Sequence, residues 1–188
     1  MISAVVLAAG SSTRFGATKQ LAVVRGKTLV QHAVDAAASV VGEVIVVLGH
    51  DADAVEATLV LPASGRVVLN PRHAEGQSTS LAAGLAACAP SSAAAVVLLG
   101  DQPGIREDHV RALVAAFEDS RDEVLRLRFR DGPGPALLAR PVWPELTALA
   151  GDVGARALLD ADPERVRWVP VDEDVPPDVD ALGDLERA

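Results

Sequence analysis

The chain has 188 residues, of which 49% are apolar and 23% charged, a balance typical of a globular protein with one substantial core. Its formal net charge of -9 argues against a surface that binds nucleic acid or anionic membranes, so an anionic substrate must be held by a few local cations. The single cysteine excludes an internal disulfide and fits a reducing compartment. Because Cys88 stands in an alanine-rich apolar stretch, we expect a buried side chain there and not a nucleophile.

The beginning of the chain carries no basic segment before its short apolar run, which is far below the length of a membrane span. We therefore expect a cytoplasmic protein, folded as a single domain over residues 1–188, with neither nucleic acid nor membrane as a ligand.

Residues 1–19 carry the first functional pattern. An apolar run from Ala4 to Leu7 has no polar face, which predicts a central strand of a parallel sheet that is covered on both sides. It ends in the small residues 8–12, against which a ligand could lie close to the backbone, and the cations Arg14 and Lys19 follow. Such a backbone cradle with a guanidinium and an ammonium at its rim suits the phosphates of a nucleoside triphosphate.

Two common phosphate motifs are excluded by spacing. Between Gly10 and Gly16 stand five residues, and Ala17 follows where a P-loop requires lysine; no G-x-G-x-x-G occurs either. An ordinary strand-to-helix loop with a chance arginine and lysine is the alternative. Of the 17 basic residues only Lys19 and Lys27 are lysines, which favours a specific role for Lys19.

Later segments alternate between apolar strands and amphipathic helices, as in an α/β protein. The predicted strands cover 43–48, 66–69, 94–99, 136–139 and 166–171, and the predicted helices cover 29–41, 53–61, 81–89, 107–117, 141–149 and 151–160. Thr28 is the predicted cap of the first helix. His50, after the second strand, fits an ordinary loop histidine as well as a functional one.

A polar loop after strand 66–69 runs from Asn70, the only asparagine, to Ser80. Its glycine, glutamine and serine groups stand at a helix N-terminus, where they could bind a base edge or a ribose. The alternative is plain helix capping by Ser78, which needs no ligand.

The strand 94–99 stops at Gly100 and Asp101. Ligands of open parallel sheets gather at the carboxyl ends of the strands. A carboxylate beside a triphosphate would most simply hold Mg²⁺, although Asp101 could also merely cap a turn.

Leucine or phenylalanine alternates with arginine over residues 125–130, which predicts a strand with one wet face. A solvated face of an edge strand is the commoner explanation, and contact of Arg126, Arg128 and Arg130 with an anionic acceptor is the other.

Four motifs together resemble those of the MobA-like nucleotidyltransferases, and among them most closely the molybdenum cofactor cytidylyltransferases, often called MocA-like. The resemblance covers nearly the whole chain and rests on Leu7-Ala-Ala-Gly-x-Ser-x-Arg-Phe-Gly-x-x-Lys19, Gly76-Gln-Ser-x-Ser80, Gly100-Asp-Gln-Pro103 and Gly151-Asp-Val-Gly-Ala-Arg156.

The resemblance implies a three-layer α/β/α, Rossmann-like nucleotidyltransferase fold with a mostly parallel central sheet. It also implies a Mg²⁺-dependent transfer of CMP from CTP to molybdopterin, with release of pyrophosphate. Carried over by position, the catalytic residues are Arg14, Lys19 and Asp101, and the metal ligands are Asp101 and Asp180, with Asp178 and Asp184 as alternatives for the second carboxylate. The implied nucleotide-binding residues are Leu7, Ala8, Ala9, Gly10, Ser12, Arg14, Lys19, Gly76, Gln77, Ser78 and Ser80. Cytidine is favoured because the guanylyl-transferring branch usually reads Ala-Gly-Gly where this chain has Ala8-Ala9-Gly10.

Two departures from the family pattern affect the acceptor. Gly134-Pro135-Ala136 stands where this branch commonly reads Gly-His-Pro, and the segment from Asp178 to Asp184 differs from the usual Asp-Ile-Asp-Thr-Pro-Glu-Asp. A phospholactate-like or sugar phosphate acceptor, use of GTP, and a nucleotide-binding accessory module without turnover therefore stay open. A molybdoenzyme maturation partner is a further expectation, whereas the scattered histidines and single cysteine show no spacing of a dedicated metal-binding protein.

Overall fold

The structure is a computed structural model of the chain and describes residues 1–12, 15–148, 162–179 and 181–185. The strands are β1 (Ile2–Ala8), β2 (Val23–Val24), β3 (Lys27–Thr28), β4 (Glu43–Leu48), β5 (Gly65–Leu69), β6 (Ala94–Leu99), β7 (Val124–Arg128), β8 (Pro133–Ala139) and β9 (Val166–Pro170). The α-helices are α1 (Leu29–Ala38), α2 (Ala52–Glu56), α3 (Gln77–Ala87), α4 (Glu107–Ser120) and α5 (Trp143–Thr147). Short 3-10 turns cover Lys19–Leu21, His73–Glu75, Arg140–Val142, Pro163–Arg165 and Leu182–Asp184.

Strand β1 lies inside a seven-stranded sheet of order β5-β4-β1-β6-β8-β7-β9. It pairs in parallel with β4 on one side and with β6 on the other, and Ala4, Val5 and Val6 are fully buried. Among the described strands of this sheet, β8 alone runs antiparallel to its neighbours, β6 and β7. The central, mostly parallel strand expected from the apolar run is thus confirmed.

Alternate residues of the strands enter two separate cores. Ala4 and Val6 pack in a cluster with residues of α1 and α4, whereas Val5 packs in a second cluster with Leu81 and Leu85 of α3. Helices therefore cover both faces of the sheet, and the predicted three-layer α/β/α architecture is confirmed.

Three local predictions were wrong. Helix α3 begins at Gln77 and not near residue 81, so Gly76 is its N-cap and Ser78 lies inside its first turn. Thr28 does stand at the N-cap of α1, but its side chain makes no capping hydrogen bond. Strand β7 is no edge strand, because β8 pairs with it on one side and β9 on the other.

No helix among the described residues combines the length and the apolar character that a membrane crossing requires. Cys88 is buried as expected, and burial raises the pKa of its thiol.

A buried carboxylate lies at the start of β4, at the opposite end of the strands from the predicted site. Glu43 accepts hydrogen bonds from the Ser3 hydroxyl at 2.6 Å and the Ala89 amide at 2.8 Å, and it pairs with Arg66 at 3.0 Å. Burial alone would raise the pKa of Glu43, but these hydrogen bonds and the Arg66 charge outweigh it, and the pKa lies below its ordinary value. The ionised form therefore stabilises the fold.

A carboxylate with a lowered pKa in the folded state contributes stability above its unfolded pKa, and this contribution is lost as the pH falls through the folded pKa. We expect Glu43→Gln to lower the free energy of unfolding at pH 7 by about 1–3 kcal/mol, because charged hydrogen bonds in a buried site are lost. The difference from wild type should shrink as the pH falls below about 4. Urea unfolding at pH 7 and at a pH below about 4 measures the difference in the free energy of unfolding. Glu56→Gln, on the exposed face of α2, is the control, and equal losses in the two variants would contradict the prediction.

Candidate functional site

The carboxyl ends of β1, β4, β5 and β6 lie at one edge of the sheet, and the segments that follow β1, β5 and β6 line a cavity of about 410 Å³. The loop after β1, the loop before α3 and the loop after β6 all line it. The lining residues are Leu7, Ala9, Gly10, Ser11, Ser12, Phe15, Lys19, Gln20, His73, Ala74, Gly76, Gln77, Ser80, Leu99, Gly100 and Asp101. Segments far apart in sequence therefore share one site.

Lys19 and Asp101 meet inside this cavity. The Lys19 Nζ atom lies 2.7 Å from Asp101 Oδ2, and the two side chains are 14% and 25% exposed. The second carboxylate oxygen, Asp101 Oδ1, is buried and has no hydrogen-bond partner among the described residues. The site thus combines an ammonium group with a carboxylate oxygen that can still accept a ligand.

A buried glutamine shapes the loop after β1. The Gln20 Nε2 atom donates to the Gly10 carbonyl at 3.0 Å, and Ser12 Oγ donates to Gln20 Oε1 at 3.2 Å. Ser12 Oγ also accepts the Lys19 amide at 3.2 Å, which ties the loop to the start of the Lys19 turn. Ser12 adopts a positive φ of 53°. Gln20, which the sequence motifs did not single out, is 4% exposed and fixes the shape of this loop.

Asn70 organises the opposite wall. Its side-chain amide donates to Thr79 Oγ1 and Ser80 Oγ, both at 2.9 Å, and its oxygen accepts the Arg72 amide at 3.0 Å. Gly76 has a φ of 116°, a conformation that favours glycine, and it turns the chain into α3. The loop from residue 70 to residue 76 and the first turn of α3 therefore form one wall, held by the buried Asn70 side chain.

Most of the expected nucleotide-binding residues line the cavity, and two lie just outside its lining. Ala8 is buried in the strand, and Ser78 is 1% exposed with its hydroxyl unpartnered among the described residues. His73 lines the cavity, whereas His50 is not among its lining residues. Arg14, Asp180 and the Gly151–Arg156 motif lie outside the described residues.

The carboxyl-terminal segment passes close to Asp101. The Val179 amide donates to the Asp101 carbonyl oxygen at 3.1 Å, and the Val179 side chain is fully buried. Nearby, Gln102 Nε2 donates to Asp178 Oδ1 at 2.7 Å. The described carboxyl-terminal segment is therefore bonded to the Asp101 backbone at Val179.

A second group of possible metal ligands lies at the start of α4. Asp108, His109 and Glu173 bring their ligand atoms within 4.8 Å of one another. Arg106 pairs with Asp108 at 2.9 Å and with Glu173 at 2.8 Å, and His109 Nε2 lies 2.5 Å from Glu173. Since the Arg106 guanidinium already pairs with both carboxylates, we interpret the group as an ion-pair network.

The comparisons with known proteins agree with this geometry. The chain is similar over 99% of its length to Rv0371c from Mycobacterium tuberculosis H37Rv, with 34% identity, 96% of that chain covered and a TM-score of 0.88. A structure of Rv0371c in complex with manganese matches with 33% identity and a TM-score of 0.83 over 99% of this chain and 96% of that one. A nucleotidyl transferase from Methanothermobacter thermautotroptrophicus is 25% identical, with 100% and 95% of the two chains covered and a TM-score of 0.83.

Among the curated proteins, the bifunctional protein GlmU of Alcanivorax borkumensis is 34% identical over 142 residues. The match takes in 74% of this chain but only 30% of GlmU, so the chain corresponds to about a third of that relative. The model of the MobA-like NTP transferase domain matches residues 4–166, and the chain is therefore a member of the MobA-like NTP transferase family, a family of nucleotidyltransferases.

Proposed function

We propose that residues 1–188 form a single cytidylyltransferase domain that transfers CMP from CTP to a phosphorylated acceptor, with molybdopterin as the favoured acceptor, and releases pyrophosphate. The observation that carries this proposal is the meeting of Lys19 and Asp101, 2.7 Å apart, in a cavity between two backbone-lined loops. The product would pass to a molybdoenzyme maturation partner.

The walls of the cavity suit a nucleoside. Gly10, Ser11 and Ser12 expose a narrow backbone segment on one side, and the N-cap and first turn of α3, residues 76–80, face them with amide and hydroxyl groups. Ala9 lines the cavity with a methyl group at the position where the resemblance expects a glycine in guanylyl-transferring relatives. This supports a pyrimidine in preference to a purine.

The proposed reaction is an in-line displacement at the α-phosphorus of CTP. An oxygen of the acceptor phosphate forms the new bond to phosphorus, and the bond from that phosphorus to the oxygen bridging it to the β-phosphate breaks, so that pyrophosphate leaves. A phosphate nucleophile is already ionised near neutral pH and needs no general base, and positioning with charge neutralisation then supplies most of the catalysis. In this proposal Lys19 bridges the α-phosphate and the incoming oxygen, and Arg14 holds the departing phosphates.

The described residues also fit a divalent cation. Asp101 Oδ1 is a buried carboxylate oxygen without a hydrogen-bond partner among the described residues, and hard cations prefer such oxygens. We propose Mg²⁺ as the cation, with Asp101 and Asp180 as its protein ligands. A cation bound there would neutralise charge on the triphosphate.

The proposal is tested by a pyrophosphate-release screen of the four NTPs against molybdopterin, phospholactate-like acceptors and sugar phosphates in the presence of Mg²⁺. We expect the fastest release with CTP and molybdopterin. Fastest release with another acceptor or with GTP would identify a different member of the same enzyme class. Saturable CTP binding without pyrophosphate from any pair would contradict catalysis and identify an accessory module.

The two lysines of the chain provide a matched pair of variants. We expect Lys19→Ala to lower the rate of pyrophosphate release about 100-fold or more, because a preorganised cation at the developing charge is removed. Lys27, which is 54% exposed and pairs with Asp35 on the surface, is the control, and Lys27→Ala should keep the wild-type rate. A Lys19→Ala rate within a few fold of wild type would refute the proposed role of Lys19.

Asp101→Asn tests the metal site. The substitution keeps the shape of the side chain and removes its charge, so the Mn²⁺ concentration for half-maximal binding should rise about tenfold or more. Binding is measured without turnover from the decrease in the electron paramagnetic resonance signal of free Mn²⁺. Asp35→Asn, at the exposed carboxylate that pairs with Lys27, is the matched control and should bind Mn²⁺ like wild type. Equal affinities of Asp101→Asn and wild type would exclude Asp101 as a metal ligand.

A further inference from the structure

Two arginines and a tryptophan lie together on the strands β7 and β9. Arg126 is directly opposite Trp168 in the parallel register, and Arg128 is opposite Pro170. The guanidinium carbon of Arg128 lies 5.1 Å from the centre of the Trp168 ring, and that of Arg126 lies 6.0 Å from it. We call Arg126, Arg128 and Trp168 the Arg-Trp patch.

The patch faces the same side of the sheet as helix α3. On β7, Val124 belongs to the core cluster that contains Leu81 and Leu85 of α3, and residues 126 and 128 share its side because strand side chains alternate. The loop that forms one wall of the cavity leads into this same helix. Patch and cavity wall therefore lie on one face.

The patch also lies near the cavity along the sheet. Val97 of β6 pairs with Ala136, Ala136 with Arg126, and Arg126 with Trp168, so these residues form a row across four strands. Because β7 runs parallel to β6, Arg128 lies about level with Leu99, a lining residue of the cavity. Two strand spacings, about 10 Å, separate their backbones, which a long side chain and a substrate can bridge.

Arg128 is held by an aromatic ring, whereas most exposed arginines are held by carboxylates. It is exposed and contacts the indole ring, and it makes no ion pair with a carboxylate among the described residues. Many surface arginines of the described chain instead pair with carboxylates: Arg66, Arg72, Arg106, Arg111, Arg130, Arg165 and Arg167. Arg25 donates to the Pro103 carbonyl, and Arg121 lies over the Phe117 ring at the end of α4, which packs on the opposite face of the sheet. In a chain with a net charge of -9, a guanidinium held by an aromatic ring stays available for an external anion.

Arg126 is fixed in place by the neighbouring strand. Its Nε atom donates to the Gly134 carbonyl at 3.1 Å. The pairing of β7 with β8 shifts register between Arg126 and Arg128. Such an irregularity changes the direction of side chains from that in a regular pair of strands. Planar guanidinium groups bind phosphate oxygens in a bidentate manner, and they remain charged at every physiological pH.

We propose that the Arg-Trp patch binds the phosphomonoester of the acceptor and directs one of its oxygens towards the cavity. This inference rests on the proposed function and names the subsite of its second substrate. Arg128 supplies positive charge to the incoming phosphate without taking up or releasing a proton, Trp168 holds Arg128 in position, and Arg126 borders the same ring.

Tryptophan fluorescence tests the patch without turnover. The full chain, saturated with the α,β-methylene analogue of CTP, is titrated with phenyl phosphate as the probe. We expect a saturable change in emission in wild type and no such change in Trp168→Phe, since the other tryptophan, Trp143, is buried beneath Arg140. Arg128→Gln, which loses a charge-assisted contact, should raise the dissociation constant about tenfold or more.

Arg167→Gln is the matched control. Arg167 lies on the same strand next to Trp168, points to the other face and pairs with Asp122 at 3.1 Å, so its loss should leave the titration unchanged. An equal dissociation constant in Arg128→Gln and wild type, or an equal increase in Arg167→Gln, would overturn the inference.

Failure of the Arg-Trp patch can be distinguished from failure of the proposed function. Binding of the CTP analogue is measured by calorimetry before the probe is added, and its absence would contradict the proposed function, whereas the titration reports on the patch alone. With the acceptor that the screen identifies, Arg128→Gln should raise the KM for the acceptor and leave the KM for CTP within about twofold, because the nucleotide walls are untouched. An unchanged KM for the acceptor would overturn the patch as its subsite.

Discussion

The parallel pairing of β1 with β4 and β6 continues beyond the ends of the strands, and the position of every loop around the cavity depends on it. The Gly100 amide donates to the Leu7 carbonyl at 3.0 Å, and the His50 amide donates to the Ala9 carbonyl at 3.3 Å. Asn70 extends the same edge, because its backbone amide donates a hydrogen bond to the Leu48 carbonyl at 2.8 Å. Because these are backbone bonds, the loops keep their spacing whatever side chains they carry, and ligand chemistry can vary on a fixed frame.

The ion pair of Lys19 and Asp101 explains how an acidic protein can keep a cation in a partly buried cavity. An ammonium group that is largely removed from water is costly unless a carboxylate compensates it, and Asp101 provides this compensation. Under the proposed function a triphosphate with its cation would supply a new partner for each member, phosphate oxygens for the lysine and the metal for the carboxylate. Substrate would then replace one balanced pair of charges by another.

The sequence allowed the sheet to be predicted better than the site. Runs such as Ala94–Leu99 are apolar on both faces because helices cover both, and this leaves a clear record in the sequence. The start of α3 at Gln77 leaves no such record, because its first turn is polar and Gly76 sets the direction of the chain. That Lys19 and Asp101 lie near each other could be expected from the strand order. The role of Gln20 could not, because it depends on contacts with Gly10 and Ser12 that no local sequence pattern reveals.

The arginine-rich strand shows the same limit. Alternation in β7 correctly indicated one polar face, but whether a strand is inside or at the border of a sheet depends on pairing with distant segments. Here β9, about forty residues later, adds itself outside β7 and brings Trp168 against the arginines. The segment with the pattern of a solvated border strand is therefore an interior strand with an aromatic neighbour.

The position of β9 at the border of the sheet bears on how the protein avoids self-association. An incoming strand from another molecule would meet the charged side chain of Arg167 and then Pro170, which has no amide hydrogen to offer to a new ladder. The strand is also only five residues long. Such a border is a poor template for intermolecular sheet growth, so the chain can keep a tryptophan exposed there without inviting fibril-like stacking.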